Sequence, residues 1–193
     1  MQQKRKPPPP PPRPDREERE LKFAGVELGA LRDRLLELEA ERSAAASFED
    51  NWVFDRRGEL AKRECLLRLR IDGQGALLTY KGPQRFDGPT KVRGEHQTRV
   101  ADAEATKRLL EALGYTVVRR YQQMREVWRL GGIEISLDHT PIGDFVEFEG
   151  VGGDKVARRC GFDIEKAERR TYLRLYEDYL REHPEAPADM TFP

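Results

Sequence analysis

The sequence has few cysteines, no long apolar run and no excess of charge of either sign, and each shortage excludes a class of protein. Cys65 and Cys160 lie far apart, with neither a Cys-x-x-Cys spacing nor a nearby histidine, so we interpret them as reduced thiols. No apolar run approaches the roughly 18 residues that a transmembrane helix needs. We therefore expect a cytoplasmic protein with no membrane partner.

Charge is abundant but balanced. The 193 residues include 35 Lys and Arg and 35 Asp and Glu, and charged residues make up 36% of the chain. A nucleic-acid-binding protein normally carries a basic excess, so we expect no nucleic-acid partner. Balanced charge at this density leaves two interpretations: a heavily solvated surface, or many charges that face one another across a polar site.

Residues 1–16 form a low-complexity segment with prolines at positions 7–12. Such a run favours polyproline II and cannot form a core, so a disordered tail is predicted. The segment could dock on a proline-binding module, although we favour a flexible solubilising tail. It lacks the apolar stretch of a secretory signal. We assign residues 17–182 to one folded domain and residues 183–193 to a C-terminal tail.

The hydrophobic pattern predicts mainly short strands joined by turns. Gly73-Gln74-Gly75 is a hairpin signal, and leucines spaced three and four apart predict a helix over residues 26–45. Tight turns between neighbouring strands indicate an antiparallel sheet, so the fold class is α+β. Strands are predicted at 17–23, 47–55, 65–72, 76–81, 90–98, 115–130, 133–138 and 144–149, and further helices at 102–113 and 164–181.

Charged side chains alternate with apolar ones along these strands. Residues two apart in a strand point to the same face, so each strand has one charged face and one apolar face. The charged face carries Glu18, Glu20 and Lys22; Arg68 and Arg70; Thr79 and Lys81; Arg93 and Glu95; Glu134, Ser136 and Asp138; and Glu147 and Glu149.

This charged face has two interpretations. One is the solvated face that antiparallel sheets commonly have. The other is a polyphosphate site, because adjacent carboxylates repel unless a cation compensates them, and Mg²⁺ or Mn²⁺ does this with hard oxygen ligands. Arginine forks and lysine charges would then hold the phosphate oxygens. The spacing alone leaves both interpretations open.

Glu18-x-Glu20-x-Lys22 resembles the Glu-x-Glu-x-Lys signature of CYTH proteins, the triphosphate tunnel metalloenzymes, which include class IV adenylate cyclases and thiamine triphosphatases. Other motifs of the family follow in the family's order, and the resemblance covers about residues 17–181. Each motif alone is common in strands, whereas the ordered series is specific. The others are Leu67-Arg68-Leu69-Arg70, Thr79-Tyr80-Lys81-Gly82-Pro83, Arg93-x-Glu95, Arg125, Leu137-Asp138 and Gly143-Asp144-Phe145-Val146-Glu147-Phe148-Glu149.

The resemblance implies a closed eight-stranded antiparallel β-barrel with the charged face inside and flanking helices outside. It implies Mg²⁺ or Mn²⁺ as the cofactor. It also implies that Lys81 and Glu95 are catalytic, with Lys81 neutralising the triphosphate and Glu95 orienting a cation or a metal-bound water. The implied metal ligands are Glu18, Glu20, Glu147 and Glu149 with Asp138 nearby, and the implied phosphate contacts are Lys22, Arg68, Arg70, Lys81, Arg93 and Arg125.

Two departures from the family pattern bear on the substrate. Many members have a lysine two residues before the position of Arg125, and this chain has Gln123 there. One phosphate contact should therefore be weaker, or be replaced by Arg119 or Arg120. The tyrosine that some thiamine triphosphatases use on the second strand is absent from residues 51–55, which disfavours that specificity.

The expected function is a metal-dependent enzyme acting on a small-molecule triphosphate. We expect hydrolysis of tripolyphosphate or of an organic or nucleoside triphosphate. One alternative is a class IV-type adenylate cyclase that converts ATP to cyclic AMP and pyrophosphate. A second is a non-catalytic polyphosphate-binding module, which would not favour four carboxylates beside an anion. The sequence leaves open whether the chain forms a homodimer.

Overall fold

The structure, a computed structural model, describes residues 16–193. The tail predicted for residues 1–16 lies outside the described residues, except for Arg16, which begins the first strand. Turns of 3₁₀ helix occur at Ala61–Arg63 and Ile164–Lys166. The strands are β1 (Arg16–Ala24), β2 (Glu41–Asp55), β3 (Leu66–Asp72), β4 (Gly75–Lys81), β5 (Arg85–Asp87), β6 (Thr90–Val100), β7 (Thr116–Leu130), β8 (Ile133–Thr140) and β9 (Gly143–Glu149), and the helices are α1 (Leu28–Glu37), α2 (Ala103–Ala112), α3 (Gly153–Arg159) and α4 (Tyr172–Glu182).

The strands form one antiparallel sheet that closes on itself. The order is β1-β9-β8-β7-β2-β3-β4-β6, and β6 pairs back with β1, which places Glu18 opposite Arg93. β5 is a short additional strand beside β6. The expected closed eight-stranded antiparallel barrel with flanking helices is therefore confirmed. Closure gives each of these eight strands a partner on both sides, so none of them is left as a sheet edge.

The hydrophobic core lies outside the barrel wall, between the wall and the helices. Because side chains alternate along a strand, the apolar residues share the outward face and the charged ones turn inward. Helices α1 and α3 cover β1, β8 and β9, and α2 covers β2, β3 and β4. The first cluster includes Leu21, Phe148, Ile135, Leu31, Leu35, Val156 and Ala157, and the second Phe54, Leu69, Ala76 and Leu110.

A third apolar cluster closes one end of the barrel. Tyr172 and Tyr176 of α4 pack there against Val53, Tyr121, Phe145 and Met190. The predicted C-terminal tail takes part in this cluster, because Met190 pairs with Tyr121 and is only 1% exposed. The backbone N–H of Gln122 donates to the Met190 carbonyl at 2.8 Å. Residues 183–193 thus lie partly against β7.

The main errors of the sequence prediction concern helices. The helix predicted over 26–45 ends at Glu37, because Glu39 takes a left-handed conformation (φ 59°) and residues from Glu41 pair with β7. Strand pairing outweighs the helix propensity of the alanines that follow. The helix predicted over 164–181 is a 3₁₀ turn followed by α4, which starts after the Thr171 cap. Helix α3 and strand β5 had not been predicted.

The carboxylate of Asp55 holds the turn that follows β2. Its Oδ1 accepts a hydrogen bond from the backbone N–H of Leu60 at 3.1 Å, and its Oδ2 accepts one from Ala61 at 3.0 Å. The N–H of Arg56 donates to Oδ1 as well. Burial by itself would raise the pKa of Asp55, but these hydrogen bonds outweigh burial and hold the pKa below its usual value.

Asp55→Ala should therefore destabilise the fold. Three backbone donors lose their acceptor, and we expect the free energy of unfolding at pH 7 to fall by about 1–3 kcal/mol, measured by urea denaturation. Asp87→Ala is the matched control, because its side chain is 63% exposed and pairs only at the surface with Arg19. Because the pKa of Asp55 is lowered in the folded state, the stability difference between Asp55→Ala and the wild type should shrink as the pH falls through the range in which the Asp55 carboxylate takes up a proton. Equal stability of the two variants would contradict the role of Asp55.

Candidate active site

The barrel encloses a cavity of about 910 Å³. Inward-facing side chains of the strands line it, as the alternation of charge predicted. With the exception of Asp138, all the catalytic, phosphate-binding and metal-binding residues that the resemblance implies line this one cavity. They are Glu18, Glu20, Lys22, Arg68, Arg70, Lys81, Arg93, Glu95, Arg125, Glu147 and Glu149.

Glutamates from β1 and β9 meet at the end of the cavity away from α4. The register pairs Glu20 with Glu149, and Glu18 lies two residues before Glu20 on the same face of β1. Burial and the charge of Glu18 raise the pKa of Glu149 to about 7. The Oε2 atom of Glu18 is buried without a hydrogen-bond partner in residues 16–193. The raised pKa of Glu149 and the unpartnered oxygen of Glu18 thus leave room for a further cation here.

Deeper in the barrel, the carboxylate of Glu147 is compensated by two cations. It lies 3.1 Å from Lys22 Nζ and 2.7 Å from Arg125 Nη2. Burial would raise the pKa of Glu147, but Lys22 and Arg125 outweigh burial and hold it well below its usual value. Glu147 and Glu149 thus lie in opposite electrostatic environments, although they are two residues apart on one strand.

Asp138 lies behind the cavity lining and is fully buried. Arg125 donates to both of its carboxylate oxygens, and the hydroxyl of Tyr172 donates to Oδ2 at 2.7 Å. Asp138 therefore lies beside Glu147, because Arg125 Nη2 donates to both carboxylates, but it is not among the residues that line the cavity. Its contacts instead fix the guanidinium of Arg125, which lines the cavity.

The remaining basic side chains differ in how many of their hydrogen-bond donors are already used by protein groups. The guanidinium of Arg93 donates to the carbonyls of Gly82 and Glu64 at 2.8 and 2.7 Å. Arg68 donates to the Tyr121 hydroxyl at 3.0 Å. Its Nε is buried and has no hydrogen-bond partner in the described residues. Lys81 pairs with Glu18 and lies 3.8 Å from Glu95. Arg68 and Lys81 are therefore better placed than Arg93 to bind an anion.

The carboxylate set suits a hard divalent cation, although its members are paired with basic groups. Within residues 16–193, no group of three or more His, Cys, Asp or Glu side chains is arranged as a metal site. Lys81 pairs instead with Glu18, and Lys91 with Glu20. Carboxylate oxygens are nevertheless the ligands that Mg²⁺ and Mn²⁺ prefer. The unpartnered Oε2 of Glu18 and the raised pKa of Glu149 fit such an ion beside Glu18, Glu20 and Glu149.

Sequence reasoning missed several residues at this site. Lys91 is buried and lies 2.8 Å from Glu20, and its position two before Arg93 could have revealed it. Arg16 lies 3.3 Å from Glu95 and 3.2 Å from Glu149. Tyr172 reaches the site from a helix, so no strand pattern could have indicated it.

The comparisons with known proteins agree with this architecture. The CYTH domain model matches residues 16–174, and the chain therefore belongs to the CYTH family. A candidate adenylate cyclase of Methanocaldococcus jannaschii is 32% identical over 84 residues, which are 43% of this chain and 47% of that protein. The chain thus matches about half the length of this relative. No helix within residues 16–193 is long and apolar enough to cross a membrane.

Solved structures share the fold. A candidate adenylate cyclase from Vibrio parahaemolyticus superposes with a TM-score of 0.74 at 22% identity, over 83% of this chain and 97% of that one. A protein from Pyrococcus horikoshii OT3 gives 0.71 at 25% identity, over 84% and 99%. A candidate adenylyl cyclase from Hippeastrum, described as having a dominant triphosphatase activity, gives 0.55 at 16% identity, over 86% and 88%.

The contrasting environments of the two β9 glutamates give opposite predictions for stability. In EDTA at pH 8, Glu149→Gln should stabilise the fold by on the order of 1 kcal/mol, because it removes a charge whose pKa is raised to about 7. Glu147→Gln should destabilise it by roughly 3 kcal/mol, because Lys22 and Arg125 lose a buried partner. Urea denaturation measures both changes.

Glu37→Gln is the control, since its side chain on α1 is 66% exposed, pairs with Arg34 at the surface and does not line the cavity. The folded protein binds the Glu149 proton more tightly than the unfolded chain, so the gain from Glu149→Gln should shrink between pH 8 and pH 5. A loss of stability in both β9 variants would show that Glu149 is as well compensated as Glu147.

Proposed function

We propose that this protein is a divalent-metal-dependent triphosphatase. The observation that carries the proposal is that one buried cavity holds an under-compensated carboxylate group at one end and a set of basic side chains beside it. A triphosphate with its metal ion presents the complementary arrangement, with cationic charge on one side and phosphate oxygens on the other. Neither a solvated sheet face nor a simple anion-binding site accounts for both the carboxylate group and the basic side chains.

The carboxylates would hold the metal ion, and the basic groups would hold the phosphates. Glu18, Glu20 and Glu149 fit Mg²⁺ or Mn²⁺, which when bound supplies Lewis-acid charge to the phosphate oxygens. Phosphoryl transfer depends mainly on positioning and charge neutralisation, because the protein forms little covalent chemistry with the substrate. The side chains proposed to neutralise the phosphates are Lys22, Arg68, Lys81 and Arg125.

Lys81 and Glu95 have distinct roles in this proposal. The ammonium of Lys81 lies at the boundary between the glutamates and the arginines, so it can donate to a phosphate oxygen as charge develops on the leaving group. Glu95 is 2% exposed and lies 3.8 Å from that ammonium, which keeps Lys81 charged and oriented. Burial by itself would lower the pKa of Lys81, but the charges of Glu18, Glu95 and Glu20 together outweigh burial, and the pKa is raised.

Adenylate cyclase activity is the second candidate function. It is favoured by the names of the relatives from M. jannaschii and V. parahaemolyticus. Hydrolysis is favoured by the activity described for the Hippeastrum neighbour, and by the simpler requirement of placing water rather than a ribose hydroxyl. Both reactions use the same cations, so substitution of those cations cannot distinguish them.

Activity should depend on added metal. Without Mg²⁺ or Mn²⁺, the glutamates repel an incoming polyanion, so excess EDTA should abolish turnover and Mn²⁺ should restore it. Phosphate release from ATP and tripolyphosphate measures this, with the surface variant Glu37→Gln expected to respond like the wild type. Full activity in excess EDTA would remove the metal from the proposal.

The products distinguish hydrolase from cyclase. If water attacks, ATP yields ADP and orthophosphate or AMP and pyrophosphate. If the ribose 3′-hydroxyl attacks the α-phosphorus, ATP yields cyclic AMP and pyrophosphate. We expect chromatography to show hydrolysis products. Cyclic AMP as the main product would establish the second candidate and leave the metal and phosphate assignments intact.

A further inference from the structure

Buried amide groups and a carboxylate lie together at one side of the cavity. We call this group the amide wall; it consists of Glu49 and Asn51 on β2 and Gln123 on β7. The register places Glu49 opposite Gln123, and Asn51 lies between Tyr121 on β7 and Arg70 on β3. All three side chains of the wall are at most 4% exposed. Of the three, Gln123 lines the cavity, whereas Glu49 and Asn51 are not among its lining residues.

The amide wall has hydrogen-bonding capacity that residues 16–193 do not use. Gln123 Nε2 donates to Glu49 at 3.0 Å and to Asp138 at 3.4 Å. Since both partners are acceptors, the amide nitrogen must face them, and Oε1 is left without a partner. Both polar atoms of the Asn51 side chain are also unpartnered. Buried polar groups are nearly always hydrogen-bonded, and each one left unpaired costs about 1–3 kcal/mol.

The chemistry of this wall does not suit phosphate. Phosphate oxygens are acceptors, and Gln123 Oε1 and the Glu49 carboxylate are acceptors too. The Glu49 carboxylate also lies 3.2 Å from Arg70 Nη1, and it thereby compensates the positive charge of the guanidinium nearest to the wall. A group that offers hydrogen-bond donors as well as acceptors would satisfy the amides, as the hydroxyls of a sugar or the edge of a base do.

The amide wall adjoins the proposed phosphate contacts. Asp138, which accepts from Gln123, is the residue that fixes Arg125. Arg68 lies two residues before Arg70 on β3, and both line the cavity. A ligand whose phosphates lie against Arg125 and Arg68 therefore brings the group attached to them within reach of Gln123. The cavity volume of about 910 Å³ is that of a site for a small organic molecule.

We infer that the amide wall binds the non-phosphate part of an organic triphosphate that carries hydrogen-bond donors, as a nucleoside does. The substrate class is then organic triphosphates rather than inorganic tripolyphosphate. This inference rests on the proposed function, because it assumes that triphosphate occupies the basic part of the cavity. It assigns to Gln123 a role in specificity that a lysine could not fill.

The test compares the binding of two probes that cannot be cleaved. These are the bis-methylene analogues of ATP and of tripolyphosphate, in which carbon replaces both bridging oxygens. Titration calorimetry with Mg²⁺ gives a dissociation constant for each, in the wild type, Gln123→Leu and Asn51→Leu. Leucine has a similar volume but offers no hydrogen bond, so either variant keeps the test open if the other fails to fold. Gln97→Leu is the control, because Gln97 lines the cavity on β6 away from the wall.

The deciding quantity is the ratio of the two dissociation constants. Each wall variant should weaken the ATP analogue about tenfold and change the tripolyphosphate analogue less than about twofold, because only the ATP analogue uses the amides. Gln97→Leu should leave the ratio unchanged. A ratio that shifts less than about threefold in folded wall variants means that the wall binds water only, and it overturns the inference. So does a failure of the wild type to bind the ATP analogue.

This measurement is independent of turnover. If the protein hydrolyses no triphosphate but the ratio shifts as expected, the proposed function fails and the amide wall remains a ligand site. If hydrolysis occurs but the ratio does not shift, the proposed function stands and the inference fails. Gln123→Lys adds a further check, since it should tighten the tripolyphosphate analogue relative to the ATP analogue by adding a phosphate partner.

Discussion

The pairing of opposite charges inside a closed sheet is the interaction on which the rest of this structure depends. Closure of β1 against β6 turns the charged face of every strand toward the same interior. Charges removed from water are costly unless they are paired and hydrogen-bonded. The interior meets this requirement with ion pairs between strands, such as Lys22 with Glu147 and Lys91 with Glu20.

These pairs also explain how a buried charged site can remain open to a ligand. Replacing a buried ion pair by apolar residues is often neutral or stabilising, so such pairs are weak evidence of a role in stability. The apolar clusters outside the wall can hold the fold without them. A metal ion can replace a lysine as the partner of a glutamate, and a phosphate can replace a glutamate as the partner of the lysine. A metal–triphosphate ligand of the kind proposed would thus exchange partners without leaving either charge uncompensated.

Much of this interior could be predicted from the sequence, because strand alternation is a local property. Glu18, Arg68 and Glu147 were assigned to one face by spacing alone, and they line one cavity. Spacing could not choose between a solvated face and an interior, and the family resemblance supplied barrel closure. Spacing also treated Glu147 and Glu149 as equivalent, whereas their pKa values shift in opposite directions. That difference depends on cross-strand neighbours, which local spacing does not specify.

Several of the site residues that the sequence did not predict either lie on a helix rather than on a barrel strand or carry no charge. Tyr172 approaches Asp138 from α4, and the amides of the wall carry no charge that would mark them. These neutral groups are nevertheless where selectivity should reside. Every triphosphate presents the same phosphates and metal to the glutamates, lysines and arginines, so those residues cannot distinguish one substrate from another. Discrimination requires groups that contact what differs between substrates, and a buried amide left unpaired by the wrong ligand penalises that ligand. In this barrel the group that we propose for this role is Gln123, and a lysine in its place would bind the part that all triphosphates share.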